Sequence, residues 1–172
     1  MARVHLEPPA HADRAEFLNL VEFSRGLHRP WTYPPNDAAS YRRLLERTKR
    51  EDFDVRLLRR QEDDAIVGIF ELSGIVRGFF LNAYLGYWVG EPFARQGYMT
   101  EGMRLLFRHT FGELKLHRLE ANIQPGNSAS LALAKRTGFK CEGFSPRYLK
   151  IGGRWRDHER WAVLSEDVRR GR

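Results

Sequence analysis

The sequence predicts an α/β fold: a mixed, mostly antiparallel central sheet flanked by helices, in the order β-α-α-β-β-β-α-β-α-β-β. Three observations predict it. Strand-like runs at Asp54–Arg60, Ala65–Ser73 and Asn82–Val89 follow one another with only short connections, as in an antiparallel meander. Two strand-to-helix passages come next. Two long strand-like runs, Cys141–Ile151 and Arg154–Leu164, then meet at Gly152-Gly153, a hairpin turn.

Taken in order, a short extended piece at Arg3–Glu7 stops at Pro8-Pro9, whose missing N–H groups end a ladder. Helical patterns follow at Ala12–Ser24 and Ala38–Lys49, with Asp37 placed to cap the second. Between them lies the proline-rich loop His28-Arg29-Pro30-Trp31-Thr32-Tyr33-Pro34-Pro35. Gln61-Glu62-Asp63-Asp64 is a polar turn inside the meander. From Tyr98 to Phe111, Met99, Met103, Leu106, Phe107 and Phe111 recur at three- and four-residue steps, a helix with one apolar face. Arg118–Gln124 alternates strictly, with Leu119, Ala121 and Ile123 on one face and Arg118, Glu120, Asn122 and Gln124 on the other. A helix at Ser128–Thr137 ends at Gly138, a residue suited to the C′ position.

A hydrophobic fraction of 42% and a charged fraction of 30% exclude a disordered chain. The 172 residues, without repeat or long linker, suit one domain spanning 1–172. A surplus of 29 Lys+Arg over 22 Asp+Glu favours anionic partners such as a phosphorylated cofactor, nucleic acid or a ribosome surface, without choosing among them. The amino terminus has no apolar core of a secretory signal, and no apolar run approaches the roughly 20 residues of a membrane span. The longest, Phe79 to Val89, reads as buried strand. With Cys141 as the single cysteine, read as a small buried hydrophobe, a reducing, cytoplasmic setting is expected, with no membrane partner. The six histidines show no H-E-x-x-H or paired-ligand spacing, so no metal is expected, and no direct DNA binding is expected either.

The most informative stretch runs from Tyr84 to Glu101: strand, polar loop, helix start. Free N–H groups at a helix N-terminus bind anions; Gly97 lets that backbone approach a phosphate, and Arg95 adds charge. Alone, this is also what any strand–helix connection needing a glycine looks like. Asn127-Ser128-Ala129-Ser130 repeats the arrangement after the next strand, so neighbouring strands would splay around one crevice able to hold an extended anionic cofactor.

Tyr84 to Asp167 resembles the core of the GNAT acetyltransferases. Gln96-Gly97-Tyr98-Met99-Thr100-Glu101 is similar to that family's pyrophosphate loop, and Asn127-Ser128-Ala129-Ser130 with Lys135-Arg136-Thr137-Gly138-Phe139 to its Asn-x-x-Ser … Gly-Phe signature. The run Tyr148 to His158, with Val76-Arg77-Gly78 and Ser24-Arg25 … His28-Arg29-Pro30-Trp31, resembles the RimJ/RimL-type protein N-acetyltransferases. Ala94, Arg95 and Met99 depart from the loop pattern.

The resemblance implies acetyl-CoA as co-substrate and direct attack of a neutral amine on its thioester. It puts Trp88, Val89, Arg95, Gln96, Gly97, Tyr98, Met99, Thr100, Asn127 and Ser130 at the cofactor, with a backbone N–H near Trp88–Val89 facing the developing oxyanion. Ser130 has the family position for protonating the sulfur, with Tyr148 as second choice. Where many relatives carry a glutamate base this chain has Asn122, which leaves Glu120 as the nearest carboxylate. His28, Arg29 and Trp31 lie where the family receives its acceptor. An α-amine titrates near 7.7–8.0 and Lys near 10.4, so a missing strong base favours an N-terminal α-amine, as on a ribosomal protein. A small amine (aminoglycoside, polyamine or amino acid) is the alternative acceptor, and a non-catalytic RNA- or ribosome-binding module the alternative class. The sequence leaves the oligomeric state open.

Overall fold

The computed structural model describes residues 3–170. Seven strands, β1 (Val4–Glu7), β2 (Phe53–Arg60), β3 (Ile66–Val76), β4 (Asn82–Val89), β5 (Arg118–Ile123), β6 (Lys140–Ile151) and β7 (Arg154–Leu164), form one sheet ordered β1-β2-β3-β4-β5-β7-β6. All neighbours are antiparallel except β4 and β5, which run parallel. Helices α1 (Arg14–Phe23), α2 (Arg25–His28) and α3 (Ala38–Arg47) belong to the first half; α4 (Tyr98–Phe107), α5 (Ser128–Arg136) and α6 (Ser165–Arg170) to the second.

Strand alternation sends alternate side chains into two apolar layers. On one face Phe70, Leu72, Ala83, Leu85, Leu119, Ala121 and Ile123 pack with Met103, Leu106 and Phe107 of α4 and Leu133 and Ala134 of α5. On the other, Val55, Leu57, Ile69 and Trp88 pack with Phe17 and Val21 of α1 and Tyr41, Leu44 and Leu45 of α3. Gly102 sets how closely α4 lies on the sheet: a Cβ there would sit 2.7 Å from Leu58 Cδ2 and 3.0 Å from Phe70 Cε2. Asp37 caps α3 as expected, accepting the Ser40 N–H at 2.6 Å, while Ser40 Oγ accepts the Asp37 N–H at 3.1 Å.

Four expectations change. The first helical stretch ends at Ser24 as expected, but a short helix, α2, follows it where a loop was expected. The buried Ser24 hydroxyl accepts the Glu91 N–H at 2.8 Å and so ties α1–α2 to the end of β4. The α4 pattern reaches Phe111, but the backbone widens into a π turn over Arg108–Glu113, placing His109 between Asp54 at 2.9 Å and Glu113 at 2.7 Å. Phe79 and Phe80 are exposed, because the chain reverses there through Gly78 (φ 74°) and Leu81 (φ 47°) and neither helical layer extends over the turn. Cys141 is exposed, not buried, because β7 inserts between β5 and β6 and leaves β6 as the outer edge. Among the described residues no helix is long and apolar enough to cross a membrane.

Candidate active site

The site begins where β4 and β5 part. They pair only through Asn82–Arg118, Ala83–Leu119 and Tyr84–Glu120. Beyond Tyr84 the strands diverge, and β4 runs on to Val89 without β5 beside it. The Gly90 N–H donates to Val67 O at 2.8 Å, so Trp88 and Gly86, in the same phase, turn their peptide groups toward β3. Leu85, Tyr87 and Val89 turn theirs into the gap. The Val89 carbonyl is capped from that side by His28 Nε2 at 2.9 Å.

The gap widens into a crevice of about 500 Å³. Tyr87, Trp88 and Val89 line it from β4; Arg95, Gly97, Tyr98, Met99 and Thr100 from the loop and first turn of α4; Asn127, Ser130, Leu133 and Arg136 from α5; His28 and Trp31 from the α2 loop. Two left-handed residues shape the loop, Arg95 (φ 61°) and Gly97 (φ 85°), the latter capping α4. The first N–H groups of α4, at Tyr98 and Met99, lack acceptors within the helix. Met99 also packs against the core, so its bulk at a position where the motif wants a small residue is absorbed there. Gln96 is committed elsewhere: its side-chain nitrogen donates to Pro92 O at 2.7 Å and its carbonyl accepts from Arg3 Nη2 at 3.1 Å. Arg3 also donates through Nε to Glu101 at 2.8 Å and lies 4.7 Å from the Tyr98 ring centre, bracing the loop from β1's side.

Asn127 caps α5, its Oδ1 accepting the Ser130 N–H at 3.2 Å. Ser130 Oγ lies 2.6 Å from Tyr87 Oη. Burial pushes the Tyr87 phenol up to about 12, against the pull of the Ser130 bond. The phenol stays protonated, and where it donates to Ser130 the serine proton is free for another acceptor. Sequence reading missed Tyr87; the signal was its phase, two residues before Val89 and on the α5 side. Arg136 reaches the crevice, with Nη1 3.4 Å from Thr100 Oγ1, whereas the Lys135 ammonium lies over Trp161.

Glu120, Asn122 and Tyr148 do not line this crevice. Arg118 Nε donates to Glu120 at 2.8 Å and the same guanidinium pairs with Glu142, so Glu120 is held in an ion pair. Asn122 stands opposite Arg160 of β7, its Oδ1 buried without a partner among the described residues. Tyr148 lies in a bulged part of β6, its ring edge-on to His158 at 6.2 Å. Gln124, on the same β5 face, donates to Trp31 O at 3.2 Å and pins the proline-rich loop.

A second cavity of about 580 Å³ opens on the α1/α3 side of the sheet. Arg25, Arg29, Arg43 and Arg47 wall it together with Glu22 and Glu71. Burial raises the Glu71 carboxyl above its ordinary range. His28, Thr32 and Trp88 belong to both cavities. Of the residues expected at the acceptor, His28 and Trp31 thus border the crevice and His28 and Arg29 the second cavity.

Residues 3–140 match a family model described as an acetyltransferase (GNAT) domain. The chain belongs to the GNAT family of N-acetyltransferases. It is 35% identical over 127 residues to the Bacillus subtilis protein YjcK, named a probable N-acetyltransferase, covering 74% of this chain and 68% of that one. It is 37% identical over 111 residues to the [ribosomal protein uS5]-alanine N-acetyltransferase of Escherichia coli, covering 64% of this chain and 57% of that enzyme. The structure of Mycobacterium smegmatis RimJ, solved with CoA-disulfide, superposes with a TM-score of 0.87 at 26% identity over 96% of this chain and 83% of that one. At 17% identity the fold is shared with a spermidine N-acetyltransferase from Vibrio cholerae (TM-score 0.83, 98% and 99% covered). The RimJ/RimL type and the α/β GNAT fold expected from the sequence are borne out.

Proposed function

We propose that this GNAT protein moves the acetyl group of acetyl-CoA onto the N-terminal α-amine of a protein, with a ribosomal protein as the class its relatives suggest. The observation that carries this acceptor choice is the second cavity. It adjoins the crevice through His28, Thr32 and Trp88, and four arginines wall it against two carboxylates. A polyamine brings two or more positive charges and is repelled there; a peptide brings one, on a chain whose carbonyls and acidic side chains an arginine wall accepts.

The crevice fits the co-substrate by its chemistry. Unpaired amides at the start of α4, with Gly97 left-handed and Arg95 and Arg136 at the rim, suit a pyrophosphate. The open edge of β4 offers the peptide groups of Leu85, Tyr87 and Val89 to a pantetheine amide chain, with Asn127 opposite. Val89 N–H, directed into the gap, meets the thioester oxygen as negative charge develops on it. Ser130 supplies the proton to the departing sulfur and Tyr87 holds Ser130 in place. Glu120, locked to Arg118, takes no part, and Tyr148 lies outside the reacting group.

The test is a peptide with a free amino-terminal alanine and one internal lysine, incubated with acetyl-CoA and mapped by mass spectrometry. Acetylation at the α-amine, with rates falling as salt screens the encounter, is expected. Predominant lysine acetylation refutes the acceptor assignment. Spermidine or an aminoglycoside acetylated in place of the peptide establishes the small-amine alternative, and no CoA release with any amine leaves only a binding module.

A further inference from the structure

The transfer proposed above needs a group to take a proton from the attacking nitrogen, and β5 offers none. Asn122 is an amide and Glu120 is paired with Arg118. His28, at the end of α2, stands differently. The residue is 4% exposed and its ring centre lies 4.9 Å from that of Trp88. Nε2 is 2.9 Å from the Val89 carbonyl oxygen, and a carbonyl can only accept, so Nε2 carries the ring proton. Nδ1 is left as a lone pair. That atom is buried and has no hydrogen-bond partner among the described residues.

An orphaned acceptor of this kind costs about 1–3 kcal/mol, and a ligand that brings an N–H removes the cost. His28 forms part of the wall between the two cavities and is bonded to Val89, so an amine that displaces the side chains covering Nδ1 meets it next to the residue whose amide faces the acyl oxygen. Trp88, in the same wall, has a buried indole N–H without a partner among the described residues. We propose that His28 Nδ1 is the catalytic base of the acetyl transfer, receiving the amine of the acceptor.

The step balances as follows. The neutral amine's lone pair bonds to the carbonyl carbon, and the nitrogen, made strongly acidic by that bond, passes one proton to Nδ1. The C–S bond breaks with its electrons on sulfur, which takes a proton from Ser130. The imidazolium returns its proton through water and Ser130 regains one. The charged groups around His28 are Glu91 just after β4, Arg25 and Glu22 (paired with each other), Arg29, and Glu71, Arg43 and Arg47 across the second cavity. Burial holds the imidazole below its ordinary value, against the Val89 bond and Glu91, so the lone pair is free at neutral pH.

The experiment measures CoA release by parent, His28→Gln and His28→Ala with two probes, the alanine peptide and spermidine. Glutamine can still donate to Val89 O but has no basic nitrogen. Turnover should fall roughly 100-fold in both variants, with the acetyl-CoA Kd, read by calorimetry, within about threefold. The variant rate should keep rising with pH above the amine pKa, where the parent levels off, and added imidazole should restore His28→Ala. A folded His28→Gln with parental turnover and pH profile overturns the assignment. If neither variant folds, the ¹⁵N resonance of Nδ1 in the parent decides: it should move toward the hydrogen-bonded position when peptide and CoA are added together, and no movement overturns the proposal. Spermidine acetylated with the peptide untouched removes the acceptor reading alone, and the His28 comparison then runs on spermidine.

Discussion

Gly97 separates the conformational from the electrostatic demands of the phosphate loop. At φ 85° a Cβ is strained by about 1–2 kcal/mol, and in Gly97→Ala the added carbon meets Arg3 Nη2 at 3.3 Å, the far end of a side chain that can give way. For 172 residues this is a melting temperature lower by roughly 2–8 °C. Gly97→Asp differs on both counts. Aspartate tolerates the left-handed region better than alanine and lands beside the Arg3 guanidinium, so it should cost less stability than alanine. Yet it places a negative charge beside the proposed phosphate site, and at a separation of about 6 Å the repulsion is about 0.7 kcal/mol at the dielectric of water and about 2.8 kcal/mol at an effective dielectric of 20. Affinity for CoA should therefore fall between about 3-fold and 100-fold, and less at high salt. Calorimetric titration with CoA at two salt concentrations, alongside thermal melts, gives both quantities. The two orders should be opposite: aspartate the more stable, alanine the tighter binder. A folded Gly97→Asp that binds CoA as tightly as the parent at low salt refutes the placement of the pyrophosphate.

Three further outcomes follow from the same geometry. Arg95 is left-handed at φ 61°, so Arg95→Gly should raise the melting temperature by a few degrees, a gain of about 1 kcal/mol, while weakening CoA binding through the lost charge; calorimetry and a melt check both. Ser130→Ala should lower kcat about tenfold with little change in the KM for acetyl-CoA, and Tyr87→Phe should do the same to a smaller degree, so steady-state kinetics showing Tyr87→Phe equal to the parent reduces that tyrosine to packing. The hydrogen bond to Asp54, with that to Glu113 against the cost of burial, holds His109 above its ordinary value. Its stabilisation is thus complete below the unfolded value near 6.5 and lost as pH rises through the folded one. Burial opposes ionisation of Asp54, but the bonds from His109 and Arg56 keep it below its usual range, so its own contribution is lost only in stronger acid. Chemical denaturation of His109→Gln against the parent should show a gap of about 1.5–3 kcal/mol near pH 5 that narrows above neutrality.

Most of the fold was legible because it rests on periodicity. The Arg118–Ile123 alternation, the three-strand meander and the Gly152-Gly153 hairpin each dictate a face or a reversal, and all three stand. What escaped depended on neighbours in space. Cys141 looked buried because its strand is apolar in part, but whether β6 is central or marginal is decided by β7 inserting beside β5. Phe79 and Phe80 belong to an apolar run but sit past the reach of either helical layer. At the crevice, most of the expected loop and α5 residues converge, because helix starts after parallel strands open on the same gap. The pairing of Tyr87 with Ser130 joins β4 to α5 and depends on how that helix lies on the sheet, which neither element's own pattern encodes. Arg118 and Glu120, by contrast, already shared one face of the β5 alternation, and their ion pair could have been read from it.

The absence of a free carboxylate at Asn122 also bears on which amine the site selects. Suppose the proton goes to His28, whose burial keeps it a weak base. Its own pKa then adds the same amount to the barrier for every acceptor and drops out of any comparison between them. What remains is the cost of presenting a neutral nitrogen. Between an α-amine at 7.7–8.0 and a lysine at 10.4 the gap is about 2.4–2.7 pKa units, or about 3.3–3.7 kcal/mol at pH below both values. A strong, ionised carboxylate poised at the amine would recover part of that difference by stabilising the ammonium as it deprotonates. Here the β5 carboxylate spends its charge on Arg118, and Glu71, in the adjoining cavity, is driven by burial toward its neutral form. The site thus does little to offset the intrinsic handicap of lysine. Selectivity for the α-amine then follows from a group this chain lacks as much as from any contact it makes.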